Sequence, residues 1–252
     1  MAQTKWNREE LIAAFNLYCR LTFGRIHIRN PEIIRLAKIL GRSPSAVSWK
    51  LANFARLDPA LQARDVAGAT HGSKMEVEVW EEFNRDWERL SYESERVLQK
   101  LALRRLRQRP PGQILPMGRT REVVARVRVN QSFFRAAVLA AYDSSCCITG
   151  LGIPALLNAS HIVPWSVDER NRTNPRNGLC LNAIHDRAFD AGLLTVTPEY
   201  RVKIAREVKT GPQKGPVDDF ILRYHDSLIA LPVRFHPDPE FLSYHNEKIF
   251  RR

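Results

Sequence analysis

Long apolar runs are missing from this chain. No stretch of about 18 apolar residues occurs, so no helix in it is expected to span a bilayer. A basic amphipathic helix with an aromatic stripe, the usual means of lying on a membrane, is missing too. Cysteine is scarce: Cys19, Cys146, Cys147 and Cys180 are too few and too irregular for a disulfide framework. No Cys-x-x-Cys pair offers a structural zinc site. The opening MAQTKWNREELIAAF breaks its apolar residues with charge and has no small-residue cleavage site, so it reads as no signal peptide. A reducing cytoplasm is the expected location. Internal repeats and low-complexity tracts are also lacking.

Acidic residues are the minority charge. Lys and Arg number 39 against 27 Asp and Glu, a formal net charge of +12. Such an excess implies an anionic partner, most simply the phosphates of nucleic acid. At 252 residues, 44% hydrophobic and 26% charged, the chain is long enough for two ordinary globular domains.

The first domain, expected over residues 1–100, is all helical. Asn7 can cap a helix with Glu10 reaching back, and Trp6 can staple against Leu11. Pro31 opens a second helix that Gly41 stops, and Ser43-Pro44 opens a third. Two helices about a short Gly-containing turn have the arrangement of a helix-turn-helix. Arg42 in the turn and Ser45, Ser48, Trp49, Lys50 and Asn53 on the last helix are the residues expected to touch DNA. The plain alternative is a helical bundle whose polar face meets only water. A single helical segment is then expected from about Glu76 to Leu106, with Val79, Trp80, Phe83 and Trp87 on one face. Residues 101–129, with Pro110-Pro111-Gly112 amid arginines, read as a basic linker. The second domain is expected over residues 130–252. It should hold a helix over Phe133–Ala140, a strand-like pair from Ile153 to Ile162, a helix from about Cys180 to Ala191, short strands over Leu193–Ile204, and two final helices, Val217–Ile229 and Pro239–Phe250. The fold class is therefore α+β.

The chemistry is concentrated in CITGLGIPALLNASHIVPWSVDERNRTNPRNGLCLNAIHDRAFDAG, residues 147–192. Hydrolysis of a phosphodiester needs a base for the attacking water and charge relief at the leaving oxygen. A histidine, with its near-neutral pKa, supplies the first. One divalent cation held by hard oxygen ligands supplies the second. Stepping about 100° per residue along the expected helix, Leu181, Ile184, Ala188 and Phe189 form an apolar stripe that includes His185. Asp186 and Asp190 share the polar flank. Asp186 is thus the better-placed metal ligand, Asp190 a helper and His185 a shoulder residue, while Arg187 can grip a phosphate. His225, His236 and His245 lack comparable surroundings and read as structural.

Three clusters carry a resemblance: Ser160-His161-Ile162-Val163-Pro164-Trp165, Asn177-Gly178-Leu179-Cys180-Leu181 and Asp186-Arg187-Ala188-Phe189-Asp190. In this order and spacing they resemble the HNH nuclease family with its ββα-metal finger, over roughly Cys147 to Thr197. The resemblance implies that His161 is the general base, that Asn177 fixes the loop carrying it, and that Asp186 binds the metal. The residue before the base, Asp in many relatives, is Ser160 here. The cofactor implied is one divalent ion, Mg2+ first and Mn2+ as a substitute, and the partner is double-stranded DNA. A nuclease joined to a compact DNA reader resembles bacterial or phage restriction enzymes, including those sensitive to base modification. One such site cuts one strand, so double-strand cutting implies a homodimer. Two other classes remain: a DNA-binding regulator with an inert nuclease domain, and an effector whose N-terminal helices bind protein.

Overall fold

The computed structural model describes residues 5–64, 72–107, 122–211 and 215–251. The chain divides into two compact units, Met1–Ala136 and Ala137–Arg252. The first is built of helices and the second mixes strands with helices, so the fold class is α+β.

In the first unit α1 (Arg8–Arg20) starts on a reciprocal cap. The Asn7 side chain accepts from the Glu10 amide at 3.0 Å, and the Glu10 carboxylate accepts from the Asn7 amide at 2.9 Å. Helices α2 (Pro31–Leu40) and α3 (Pro44–Ala55) each begin with proline at the first position behind an Asn30 or Ser43 cap. Gly41, at φ 73°, supplies the left-handed turn between them. Two further helices follow, α4 (Pro59–Gln62) and α5 (Lys74–Phe83). The Phe15 ring then lies 4.9 Å from Phe54, 5.2 Å from Trp80 and 6.1 Å from Trp87, which centres the core on α1.

The single helix expected over 76–106 is two. After α5, Asn84 closes one helix and α6 (Trp87–Arg107) opens another. The cause is Asp86, whose side chain accepts from the Arg89 amide at 3.0 Å and so caps a new start. Of the expected linker, residues 101–107 belong to α6, and residues 122–129 belong to α7 (Glu122–Ala141). The Pro110-Pro111-Gly112 turn lies outside the described residues.

The second unit is organised by a hairpin. Strands β1 (Leu157–His161) and β2 (Gly178–Asn182) pair antiparallel, with Ser160 opposite Leu179 and His161 opposite Gly178. Helix α8 (Ala183–Asp190) follows at once. The helix expected from Cys180 therefore begins three residues later. Asn182 ends the strand and caps the helix, its side-chain oxygen accepting from the Ile184 and His185 amides at 3.0 Å each. A second hairpin, β3 (Leu194–Val196) with β4 (Val202–Ile204), comes next. It leads into two short helices, α9 (Arg206–Thr210) and α10 (Pro216–Phe220), and the chain closes with α11 (Pro239–Lys248). The helix expected over 217–229 is only α10 plus one tight turn at Leu222–Tyr224. Beyond it the backbone bonds to β4 instead: the Asp226 amide donates to the Val202 carbonyl at 2.8 Å and the Val202 amide to the Ser227 carbonyl at 2.9 Å.

Gly192 (φ 72°) turns the chain out of α8, and a Cβ built there would lie 2.2 Å from the Ile249 carbonyl oxygen. Only glycine admits both that backbone angle and that approach.

Candidate active site

A cleft of about 380 Å³ in the second unit gathers side chains from β1, the loop after it, α8 and α11, among them Ser160, His161, Trp165, Asp186, Asp190 and His245. The two groups on which the chemistry depends, an imidazole and a carboxylate, face the same space.

His161 ends β1, and its direction is set by the loop 162–177. Asn177, buried at 1% exposure, governs that loop. Its side chain accepts from the Val163 amide at 2.8 Å and donates to the Val163 carbonyl at 3.1 Å and the Asn171 carbonyl at 3.2 Å. Its own carbonyl accepts from the Ile162 amide at 3.0 Å. A side-chain amide offers two N–H donors and a separate acceptor oxygen, which is the set these three bonds use. The loop is tightened again by Asp168, which accepts from Arg170 and Asn171, and by Arg172, whose Nε donates to the Trp165 carbonyl at 2.7 Å.

The Arg172 carbonyl in turn lies 2.8 Å from His161 Nε2. A carbonyl oxygen only accepts, so Nε2 carries the proton and the neutral ring has its lone pair on Nδ1. Trp165 meets the ring edge-on, with centroids 5.5 Å apart. Burial lowers the His161 pKa, against a smaller upward pull from the bond to Arg172. The ring is therefore neutral at pH 7 and fit to take a proton.

Asp186, on the first turn of α8, is approached from β1. Asn158 Nδ2 donates to Oδ2 at 2.6 Å, and the Ser160 hydroxyl donates to Oδ1. Asp190 stands one turn on, its pKa raised first by burial and then by the negative charge of Asp186. Two carboxylates one turn apart on the same helix, repelling each other where they line a polar cleft, favour a cation beside them. The residues fit a small hard divalent ion: carboxylate oxygens are among its preferred donors, and it keeps several waters of its own. Among the described residues no three His, Cys, Asp or Glu side chains gather closely enough to hold a metal by themselves.

His185 is not part of this centre. Its ring is buried, with Nδ1 3.2 Å from the Asn182 amide nitrogen and Nε2 2.7 Å from the Phe220 carbonyl. His185, expected from the sequence as a third candidate for the metal alongside Asp186 and Asp190, is corrected to a core residue. Its place in the apolar stripe of α8 turns it into the core, where both ring nitrogens are engaged. Arg187 is exposed on α8.

Three residues expected to touch DNA are also corrected. The Arg42 guanidinium donates to both Glu10 oxygens, at 3.0 and 2.8 Å, and lies over the Trp6 ring. Lys50 forms an ion pair with Glu76, and Asn53, 7% exposed, donates to the same carboxylate at 3.2 Å. These side chains bind α1 and α5 rather than facing solvent. Ser45 and Trp49 are exposed, Trp49 by 64%, and Ser48 is half-buried.

Asn158 escaped the sequence reading. Alternation along a strand places Asn158 on the same face as Ser160, which is the signal that would have found it. His245 reads as structural and is bonded as such: Nδ1 accepts from the Thr195 hydroxyl at 2.8 Å, Nε2 donates to the Phe189 carbonyl at 3.2 Å, and the ring stacks on Phe189 at 3.7 Å. It also forms part of the cleft wall.

An antiparallel hairpin running into a helix, with a neutral imidazole and a carboxylate lining one polar cleft, is a ββα arrangement. Residues 146–197, which contain it, match the model of the HNH endonuclease family. A search of curated proteins found no match to the chain. Among the described residues no helix is long and apolar enough to cross a membrane.

Proposed function

We propose that the protein is a divalent-metal-dependent DNA endonuclease that hydrolyses phosphodiester bonds in duplex DNA, with His161 as general base and Asp186 as metal ligand. The observation that carries this reading is the His161–Asp186 cleft, with the imidazole fixed by the Arg172 carbonyl so that Nδ1 is its basic nitrogen. Water gives its proton to Nδ1, and the hydroxide formed attacks phosphorus as the bond to the leaving oxygen breaks. Held at Asp186 with help from Asp190, a divalent ion, Mg2+ first and Mn2+ as a substitute, supplies charge relief at the phosphate and the leaving oxygen. Asn177 acts through the loop, keeping His161 aligned. Arg187 stands exposed beside the acids, where it is suited to a phosphate.

A net charge of +12 supports a polyanionic substrate. The separate helical unit, presenting Ser45, Ser48 and Trp49 on α3, is suited to choosing where cutting occurs, which is the division of labour in a restriction enzyme. Incubation of pure protein with supercoiled plasmid and Mg2+ should yield nicked or linear DNA, and a chelator should stop it. His161→Ala should remain folded and lose cleavage. Unchanged cutting by that variant defeats the reading; no cutting by the intact protein with any divalent ion favours a DNA-binding regulator with an inert domain. Because the His161 pKa is lowered, cleavage should be flat with pH above neutrality. It should fall only as pH drops below the ordinary imidazole value, where the ring gains its second proton.

A further inference from the structure

We propose that Asn158 and Ser160 are positioning residues that hold the Asp186 carboxylate in the orientation from which it takes a divalent cation. The inference rests on Asp186 being the metal ligand and goes on to say how this chain prepares it. Both side chains project from one face of β1, two residues apart, and each reaches a different oxygen of the same carboxylate. The final torsion of an aspartate is broad and nearly twofold, so a carboxylate with no partners swings. A donor on each oxygen removes that freedom. A carboxylate offers about four acceptor positions, so two remain for an ion.

The type of donor matters as much as its placement. An amide and a hydroxyl are neutral and leave the negative charge in place, whereas Lys or Arg would cancel it and compete with the metal. Two buried acids elsewhere in the chain are met by cations: Glu10 by Arg42 and Glu76 by Lys50. Ser160 is 3% exposed, so its hydroxyl can do little but donate inward, and its neighbour along the chain is His161. One strand end thus aligns the base and, from the adjacent residue, the metal ligand.

Mn2+ titration of the full-length protein without DNA, followed by electron paramagnetic resonance, tests this directly. Ser160→Ala and Asn158→Ala should each weaken Mn2+ binding by about 10-fold, the usual scale for losing a partner of a metal ligand. Ser160→Thr, which keeps the hydroxyl, should restore it. The Mn2+ concentration giving half-maximal cleavage should rise in parallel, while the rate at saturating Mn2+ changes little. Should Ser160→Ala fail to fold, Asn158→Ala, at a more exposed position, carries the same test. Mn2+ affinity unchanged in the alanine variants, with binding lost in Asp186→Ala, overturns this inference alone. Binding that survives Asp186→Ala overturns the assignment of the ligand beneath it.

Discussion

Two inward-facing acids, Glu76 in the first unit and Asp186 in the second, are treated in opposite ways. In the first, Glu76 is wholly buried and fully compensated. It accepts from Ser73 through the cap of α5, from Lys50 as an ion pair and from Asn53 at 3.2 Å. In the second, Asp186 receives, among the described residues, only an amide and a hydroxyl, and it lines a cleft. Burying a charge is costly unless a counter-charge meets it. A fold that meets one acid with lysine and another with serine has closed the first and left the second able to take a charge from outside.

Four substitutions or conditions sharpen or break this contrast. The largest effect belongs to the open side. His161→Ala should reduce plasmid cleavage by about two to four orders of magnitude, with circular dichroism unchanged. On the closed side, Glu76→Ala strands Lys50 and Asn53 and should cost about 3 kcal/mol or more of stability, measured by urea unfolding of the full chain. The cutting rate of the folded fraction should not change; if stability is hardly altered, Glu76 is not the keystone described.

Acid should act on the second unit through His245. Its pKa is lowered by burial to about 4, against a smaller upward pull from the Phe189 carbonyl. The unfolded chain then binds the extra proton near pH 6.5 and the folded chain only near 4. Stability is therefore complete above about pH 6.5 and drains away as pH falls toward 4, by about 3 kcal/mol. Thermal melts between pH 7 and 4.5 should show the loss, and a His245→Gln variant should show less of it. The smallest effect is expected at Trp49. Trp49→Ala should leave stability within about 0.5 kcal/mol and weaken duplex binding by about 1 kcal/mol, measured by fluorescence anisotropy in the presence of a chelator. Equal binding by that variant would remove α3 from the proposed DNA surface.

What could be read from residues alone depended on how local its cause was. Caps and prolines place α1, α2 and α3 because each signal acts within four residues. His161, Asn177 and Asp186 stand out because three spaced clusters must coincide. Lys50 and Asn53 were misread because helical periodicity separates an apolar face from a polar one but cannot tell which polar residues face water. Their partner, Glu76, lies on another helix and far along the chain. His185 failed for a related reason: a histidine inside an apolar stripe is compatible with a ligand or with a core residue, and only the Asn182 and Phe220 contacts decide. The break before Trp87 was legible in principle, since aspartate three residues before Arg89 is a cap, yet the continuing apolar pattern of Trp80, Phe83 and Trp87 masked it.

Gly192 brings a consequence for how this centre can be altered from a distance. The missing side chain lets the backbone of Ile249, whose residue forms part of the cleft, settle against the turn that ends α8. One added methyl must displace the C-terminal segment or twist the tail of the helix that bears Asp186 and Asp190. Tolerance to substitution there is a gauge of how much play the reacting groups have, read from a position that touches none of them.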